Sequence, residues 1–423
     1  MSSDGRVLVV GTTGDYVDWI ARRAAGRALF LTDRQIRMRS AEPAPPGGSE
    51  VLADLSDFAA SQDALCRHLE QSALALTGVA CFDDESMLLA ARLAQRFSLP
   101  YPSAETVALC RDKHGCKQAW AAADVPTPRA SLVRGVADAV SFSRDFGAPC
   151  VLKPLSGSGS ELVSLCRGRR ETAAAFRNIR SGLRDRAGDR MYAGAERPGC
   201  QPLLAEEYVE GREFSCDFVI DAGRAAPIRV AEKVLARNAP LGTARGYVIP
   251  SMLPPEMDRG AFVELLTRAA RAVGIRRAIC MLDFIVRDGQ AMLLEIAPRP
   301  GGDCLPCLIR HSSGLDMLLL ALDFAEGLPV TVPDPSQWRR MVGLRIRAHQ
   351  AGTLRNIDAA PLARDRRVRE VQFYRGAGHT IVLPPADYNS WILGHVIFQP
   401  DGDRDVETQC DEVLGGIDLE IAA

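Results

Sequence analysis

The sequence has no excess of charge of either sign. Its 423 residues include 51 lysines and arginines and 53 aspartates and glutamates, which gives a formal net charge of −2, and no long basic run is present. A protein that binds nucleic acid presents a concentrated basic surface, so we expect no nucleic-acid partner. The 47% of hydrophobic and 25% of charged residues are typical of a folded chain and exclude disorder over most of it.

Long apolar runs are also missing. The most apolar of the later stretches, Met317–Ala325, contains Asp323 and is far too short to cross a bilayer. The N-terminus has neither the length nor the cleavage pattern of a secretory signal. We therefore expect a cytoplasmic protein with no membrane partner.

Cysteine is present without a disulfide pattern. The twelve cysteines are scattered along the chain, which fits small buried side chains better than disulfide bonds. Cys304 and Cys307 are the one close pair. Their C-x-x-C spacing lacks the strand-and-helix context of a redox site, and a zinc site would need a second pair nearby. The spacing therefore favours a packing role.

Lysine is scarce, since only four of the 51 basic residues are lysines. A drift of basic positions toward arginine should spare lysine where the chemistry needs a compact ammonium group. Lys113, Lys153 and Lys233 are therefore candidates for the functional site. For Lys117, survival by chance is an equally good explanation.

The chain length suggests about three domains. Strand and helix patterns alternate over the first hundred residues, and proline-rich segments at 99–102 and 333–335 mark boundaries. We predict an N-terminal α/β domain at 1–102, a central domain at 103–332 with a flap at about 130–208, and a small α+β module at 333–423. The fold class is thus α/β combined with α+β.

Two carboxylates stand in apolar strands of a predicted hairpin, which turns at residues 287–290. Asp283 is near the end of one strand and Glu295 near the end of its partner. A carboxylate among apolar neighbours is costly unless a cation offsets its charge, and Mg²⁺ usually takes one or two protein carboxylates. The hairpin therefore indicates a magnesium site, although two solvated edge carboxylates would give the same pattern.

Cationic groups and a flexible loop accompany this pair. Arg299 follows Glu295 by four residues on a proline-stiffened segment that ends in two glycines, and Lys153 precedes a Gly/Ser-rich loop between two predicted strands. Phosphoryl transfer needs such cations for charge neutralisation and alignment, and a loop that closes over the site excludes water. Arg299 and Lys153 are our candidate catalytic residues.

Together these residues resemble the ATP-grasp superfamily over most of the chain. Lys113 and Lys153 are similar to its two phosphate-binding lysines, Asp283 and Glu295 to its metal carboxylates, and Arg299 to its phosphate-contacting arginine. The resemblance implies an ATP-grasp fold with a Rossmann-like N-terminal domain. It also implies Glu206 and the backbone of Val209 at adenine and Glu213 at the ribose. The remaining implied ATP-binding positions are Ser156, Gly157, Ser158, Gly159 and Ser160 in the mobile loop and Glu207 and Tyr208 in the hinge.

Within the superfamily, the run 299–303 and the C-terminal module are similar to the carboxylate–amine ligases that make dipeptides, the L-amino-acid ligase type. This resemblance implies ATP and Mg²⁺ (with Mn²⁺ as an alternative metal), a small carboxylic acid and an amine or amino acid as substrates, and a homodimer. The acid and ATP would give an acyl phosphate, which the amine attacks with release of ADP and phosphate. Ligases of the purine pathway or the biotin-carboxylase type, which use formate or bicarbonate, remain an alternative.

Three departures from the family pattern affect metal or substrate binding. Ala297 stands where an asparagine is common, which removes one metal ligand and keeps open a catalytically silent ATP-binding regulator. Ala244 and Tyr247 replace a glutamate and a histidine, so we expect Arg245 to favour an acidic or non-amino donor, with Tyr247 as a further candidate substrate contact; a surface arginine is the alternative. The third departure is Asp303, which either anchors a cationic acceptor or caps the next helix. Lys233 is a further candidate for a substrate contact.

Overall fold

A parallel sheet forms the first layer of the molecule. The computed structural model describes residues 5–147, 149–193, 199–237, 239–251, 253, 257–402 and 404–423. The first sheet has the strand order β3-β2-β1-β4, and its strands are apolar because helices cover both faces. Its elements, with the two helices that follow, are β1 (Gly5–Val10), α1 (Gly14–Arg23), β2 (Ala28–Asp33), α2 (Arg34–Arg39), β3 (Glu50–Ala53), α3 (Phe58–Ser72), β4 (Ala75–Cys81), α4 (Met87–Arg96), α5 (Ala104–Arg111) and α6 (Lys113–Ala122).

A second, antiparallel sheet carries the predicted flap. Its elements are β5 (Ala130–Val133), α7 (Val136–Asp145), β6 (Cys150–Pro154), β7 (Ser164–Cys166), α8 (Arg169–Asp185) and β8 (Leu203–Glu207), with the strand order β5-β8-β6-β7. The Gly/Ser-rich loop joins β6 to β7. Gly157 in this loop has φ of +129°, a backbone conformation that favours glycine.

An eight-stranded sheet forms the centre of the molecule, with the order β13-β12-β9-β10-β11-β14-β18-β16. In the predicted hairpin, Asp288 and Gly289 both have positive φ, as a tight two-residue turn requires. The central elements are β9 (Arg212–Asp221), β10 (Arg224–Leu235), β11 (Ala244–Ile249), α9 (Arg259–Ala272), β12 (Ala278–Arg287), β13 (Gln290–Ala297), α10 (Leu305–Ser313) and α11 (Met317–Ala325).

The C-terminal strands extend this central sheet. Strand β14 pairs with β11, and β18 and β16 follow, so the sheet continues across residue 333. A separate small sheet has the order β17-β15-β19. Short 3₁₀ turns occupy 190–192, 335–337 and 360–364. The C-terminal elements are β14 (Met341–Arg347), β15 (Gly352–Asp358), β16 (Val368–Phe373), β17 (Thr380–Ile381), β18 (Ile392–Phe398), α12 (Val406–Leu414) and β19 (Asp418–Ala422).

Within the described ranges, no single helix has the length and apolar character needed to span a membrane. Helices α10 and α11 pass that test only together, as a pair bent by 98°, and on length and composition alone.

Candidate active site

A cleft of about 600 Å³ lies where the flap sheet, the central sheet and the edge of the N-terminal domain meet. Almost all of the residues that the sequence singled out line this cleft. They are Lys113, Lys153, Ser156, Gly157, Ser158, Gly159, Ser160, Glu206, Glu207, Tyr208, Val209, Glu213, Lys233, Tyr247, Asp283, Glu295, Arg299 and Asp303. The fold therefore brings residues separated by up to 190 positions into one site.

The two candidate metal carboxylates are register partners in the hairpin, because Asp283 of β12 lies opposite Glu295 of β13. Burial raises the pKa of Asp283; Lys233 opposes this shift and the charge of Glu295 adds to it. Burial acts in the same direction on Glu295, but Lys113 and Lys153 outweigh it and hold its pKa below the usual value. A divalent cation between the two carboxylates would relieve their repulsion.

The donor set fits Mg²⁺, which prefers carboxylate oxygens and completes its shell with water and phosphate. No third carboxylate, imidazole or thiol among the described residues joins Asp283 and Glu295 in a close metal-binding group. Ala297 lines the cleft beside them and offers no side-chain oxygen. Among the described residues, the candidate metal site therefore has two carboxylates and no further side-chain ligand.

Glu206 holds two of the four lysines. Its Oε1 is 2.9 Å from the Nζ of Lys153 and its Oε2 is 2.8 Å from the Nζ of Lys117. Burial alone would raise the pKa of Glu206, but the two ammonium groups lower it. Lys117 also donates to the hydroxyl of Thr127. Sequence reasoning left Lys117 undecided, and the structure shows that it supports the group that positions Lys153.

Lys113 connects the helix α6 to the flap loop. Its Nζ donates to the carbonyl of Gly157 at 2.7 Å and lies 3.3 Å from Oε2 of Glu295. Its backbone N–H donates to the carbonyl of Leu155. The loop is therefore held over the carboxylate pair by the same lysine that is expected to bind phosphate.

Lys233 contacts one of the two candidate metal carboxylates and Glu213. Its Nζ lies 2.6 Å from Oε1 of Glu213 and 2.6 Å from Oδ2 of Asp283. Burial lowers the pKa of Lys233, but the two carboxylates outweigh this and raise it, so the ammonium stays charged. Lys233 was predicted near a substrate; in the structure its ammonium contacts a candidate metal ligand and the carboxylate expected at the ribose.

Arg299 is positioned by a residue that the sequence did not reveal. Its Nε and Nη2 donate to the two oxygens of Asp84 at 2.9 and 2.6 Å. Asp84 belongs to the N-terminal domain and follows β4, where the carboxyl ends of parallel strands place functional side chains. The run of acidic residues at 83–85 directly after an apolar strand was the signal that could have identified it.

At the other end of the cleft, Asp303 pairs with an arginine from the C-terminal strands. Arg345 of β14 donates through Nε to Oδ2 of Asp303 at 2.6 Å and through Nη2 to the hydroxyl of Tyr247 at 3.4 Å. Burial raises the pKa of Tyr247 to about 12, so the phenol stays neutral. The helix-cap alternative for Asp303 is wrong, because the N-cap of α10 is Cys304 and the Asp303 carboxylate pairs with Arg345 instead.

Arg245 does not line the cleft. Its guanidinium forms an ion pair with Asp411 of α12. The expectation that Arg245 contacts the donor is therefore wrong. Tyr247 does line the cleft, and the cation beside it is Arg345. An arginine in the otherwise apolar strand 341–346 was a signal of the same kind as Asp283.

Comparisons with known proteins identify the family. A model of the ATP-grasp domain matches residues 146–307. A D-alanine–D-alanine ligase of Aromatoleum aromaticum is 30% identical over 251 residues, which cover 55% of this chain and 72% of that protein. Carnosine synthase 1 of Homo sapiens is 26% identical over 268 residues, which cover 62% of this chain and 32% of that protein.

A solved structure supports the fold over the full length. The crystal structure of an L-amino acid ligase from Bacillus licheniformis superposes with a TM-score of 0.78 at 18% identity and covers 100% of both chains. The fold and the site thus define an ATP-binding ligase with an ATP-grasp domain. The chain belongs to the ATP-grasp superfamily of carboxylate–amine ligases.

Proposed function

We propose that this protein joins a small carboxylic acid to an amine or amino acid, with ATP and Mg²⁺, through an acyl phosphate that the amine converts to a peptide-like amide. One observation carries the proposal: Asp283 and Glu295 face each other in a cleft that also contains Lys113, Lys153 and Arg299. These are the groups that phosphoryl transfer from ATP to a carboxylate needs. The relatives named above support an amide as the product.

Each charged residue has a separate task in this proposal. Lys113 and Lys153 bind the nucleotide phosphates, and Asp283 and Glu295 hold Mg²⁺, which offsets phosphate charge and fixes its orientation when it is bound. Arg299 lies where it can contact the transferring phosphoryl group. No protein nucleophile is required, because alignment and charge neutralisation supply the catalysis.

The flap loop protects the intermediate from water. An acyl phosphate hydrolyses unless it is shielded until the amine arrives. The contact from Lys113 to the carbonyl of Gly157 holds residues 156–160 over the cleft, and its loss would open the site. The hinge residues 206–209 all line the cleft beside the flap, which supports the proposed ATP-binding role of Glu207 and Tyr208 and the proposed adenine contacts of Glu206 and the backbone of Val209.

Asp303, Arg345 and Tyr247 form the proposed substrate end of the cleft. The carboxylate of Asp303 and the guanidinium of Arg345 offer one anionic and one cationic group at 2.6 Å separation. Such a pair suits a zwitterionic or mixed-charge ligand, whose ammonium and carboxylate can each exchange for one partner. A cytoplasmic setting suits the proposal because all twelve cysteines are free. The proposal also includes a homodimer.

The test is a screen of carboxylic acids against amines for phosphate release from ATP, with products identified by mass. We expect release only when an acid and an amine are both present, together with the mass of an amide. Glu295→Gln should lower kcat/KM about 100-fold or more, because it removes a metal ligand. Asp411→Asn, an exposed acidic residue outside the cleft, is the matched control and should leave kcat/KM unchanged.

Three outcomes would contradict the proposal. Phosphate release that depends on bicarbonate or formate alone would favour a biotin-carboxylase or purine-pathway type of ligase. ATP binding without phosphate release across the whole panel would favour a silent regulator. Equal activity of the Glu295→Gln variant and the unchanged protein would place the metal elsewhere.

A further inference from the structure

Helix α10 meets strands β16 and β18 through a cluster of metal-ligand side chains. Cys307 lies on α10, Glu370 on β16 and His395 on β18, and one ligand atom from each lies within 4.8 Å of the other two. Cys307 is 5% exposed and His395 is 1% exposed. Among the described residues this is the one such group of three, and none of its members lines the cleft.

His395 is oriented toward the cluster by its second nitrogen. Its Nδ1 shares a hydrogen bond of 2.6 Å with the hydroxyl of Tyr374. Its Nε2 is buried and has no hydrogen-bond partner among the described residues, and Oε1 of Glu370 is 3.5 Å away. A buried ring nitrogen without a partner is costly, so this one is suited to a ligand that the protein chain does not supply.

Glu370 is held from the side that faces away from His395. Its Oε2 accepts from Arg310 Nη2 at 2.8 Å and pairs with His311 Nε2 at 2.8 Å. Oε1 remains directed at His395. In metal sites the ligating carboxylate and imidazole are commonly fixed by such outer hydrogen bonds, and Tyr374, Arg310 and His311 provide them here.

We propose that Cys307, Glu370 and His395 bind one Zn²⁺ ion. In a tetrahedral zinc site, metal–ligand bonds of 2.0–2.3 Å place neighbouring ligand atoms about 3.4–3.8 Å apart. The separation of 3.5 Å between Nε2 of His395 and Oε1 of Glu370 falls in that range. The thiol of Cys307 loses its proton to solvent as the Zn–S bond forms, so thiolate and carboxylate together neutralise the ion. Water completes the coordination.

The ligand chemistry separates this ion from the Mg²⁺ of the cleft. A thiolate and an imidazole select Zn²⁺ over Mg²⁺, which keeps to oxygen ligands. The zinc ion would join α10, which begins just after Asp303, to two strands of the C-terminal region. It would thus fix the position of the helix that follows the 299–303 segment.

The test uses the full chain, purified without a metal-affinity tag and dialysed against chelator-free buffer. We expect about one zinc per chain by elemental analysis, and an apparent Kd for Zn²⁺ below about 0.1 µM in competition with a chromophoric chelator. Replacement by Co²⁺ should produce the near-ultraviolet charge-transfer band of a cobalt–thiolate bond. This spectrum needs no variant, so it does not depend on the folding of one.

Variants then assign the ligands. Cys307→Ala and His395→Ala should abolish the cobalt–thiolate band or weaken zinc binding at least about tenfold, and Tyr374→Phe should weaken it by about 10–100-fold. Cys304→Ala, one turn earlier on the same chain segment, is the matched control and should keep the band. Absence of zinc and of the cobalt band in the unchanged protein, or loss of the band in Cys304→Ala with retention in Cys307→Ala, would overturn the proposal.

Discussion

Replacing Glu206 with glutamine removes the one carboxylate that separates two buried ammonium groups. Lys117 and Glu206 are each 3% exposed, and both oxygens of Glu206 lie within 2.9 Å of a lysine nitrogen. Removing one partner of a buried ion pair typically costs 3–5 kcal/mol, because the remaining charge is left without compensation. The glutamine oxygen can still accept one hydrogen bond from a charged donor, so we expect a loss of about 3 kcal/mol in the free energy of unfolding.

The pH dependence of this loss has a definite sign. Burial lowers the pKa of Lys117 below the usual value for a lysine, about 10.5, and Glu206 opposes that shift. Without Glu206 the pKa of Lys117 falls further, so the folded variant binds fewer protons than the unfolded chain over a wider range below 10.5. Its stability should therefore rise as the pH becomes alkaline, and its deficit relative to the unchanged protein should shrink.

Urea unfolding followed by circular dichroism, at neutral and mildly alkaline pH, measures both quantities. Asp411→Asn removes a 72% exposed carboxylate from the ion pair with Arg245 and should cost less than about 1 kcal/mol. The double variant Lys117→Met with Glu206→Gln removes one of the two unpaired charges and should recover at least half of the loss. A cost below about 1 kcal/mol for Glu206→Gln, or a double variant whose losses simply add, would refute the reasoning.

Two further predictions concern the cleft, and a third concerns Glu85, the neighbour of Asp84 in the sequence. Asp84→Asn removes the charge that holds Arg299 and should lower the turnover number about 10–100-fold in steady-state assays; unchanged turnover would show that Arg299 needs no such support. Arg345→Met should raise KM for one of the two organic substrates about tenfold while KM for ATP stays constant, and a shift confined to ATP would contradict our placement of the pair with Asp303. Burial, followed by the two preceding carboxylates, raises the pKa of Glu85 to about 7. Between pH 4.5 and 7 the folded protein therefore binds a proton that the unfolded chain has lost, so Tm should fall as pH rises through this range. Tm should fall less steeply in Glu85→Gln, and equal slopes of Tm against pH in the two proteins would contradict the raised pKa of Glu85.

Local signals predicted a large part of the fold and the site. Asp283 and Glu295 were identifiable because a charge within an apolar strand requires a partner, and the Asp-Gly turn set their register. The Gly/Ser loop after Lys153 was identifiable because its composition is unusual. Three strands were not predicted: β15 lacks an alternating apolar pattern, β17 has two residues, and the alternation in β19 covers only five residues.

Pairings between distant segments could not be predicted from the sequence. Nothing in the order of residues indicates that Asp84 would meet Arg299 or that Arg345 would meet Asp303, since these contacts follow from how separate sheets pack. The error at Arg245 has a similar origin. Arg245 and Tyr247 are two positions apart and would share a face of a regular strand, but the pairing of β10 with β11 shifts register between residues 244 and 246. Arg245 lies at this irregularity and pairs with Asp411 of α12 outside the cleft.

The bond between Asp84 and Arg299 ties two positions that are 215 residues apart. In natural variants of this chain, a change at position 84 would leave the guanidinium without its anion unless another acidic group moved in at the same time. The two positions should therefore change together across lineages, and a graft of the N-terminal domain from a relative without this aspartate should impair chemistry while nucleotide capture survives.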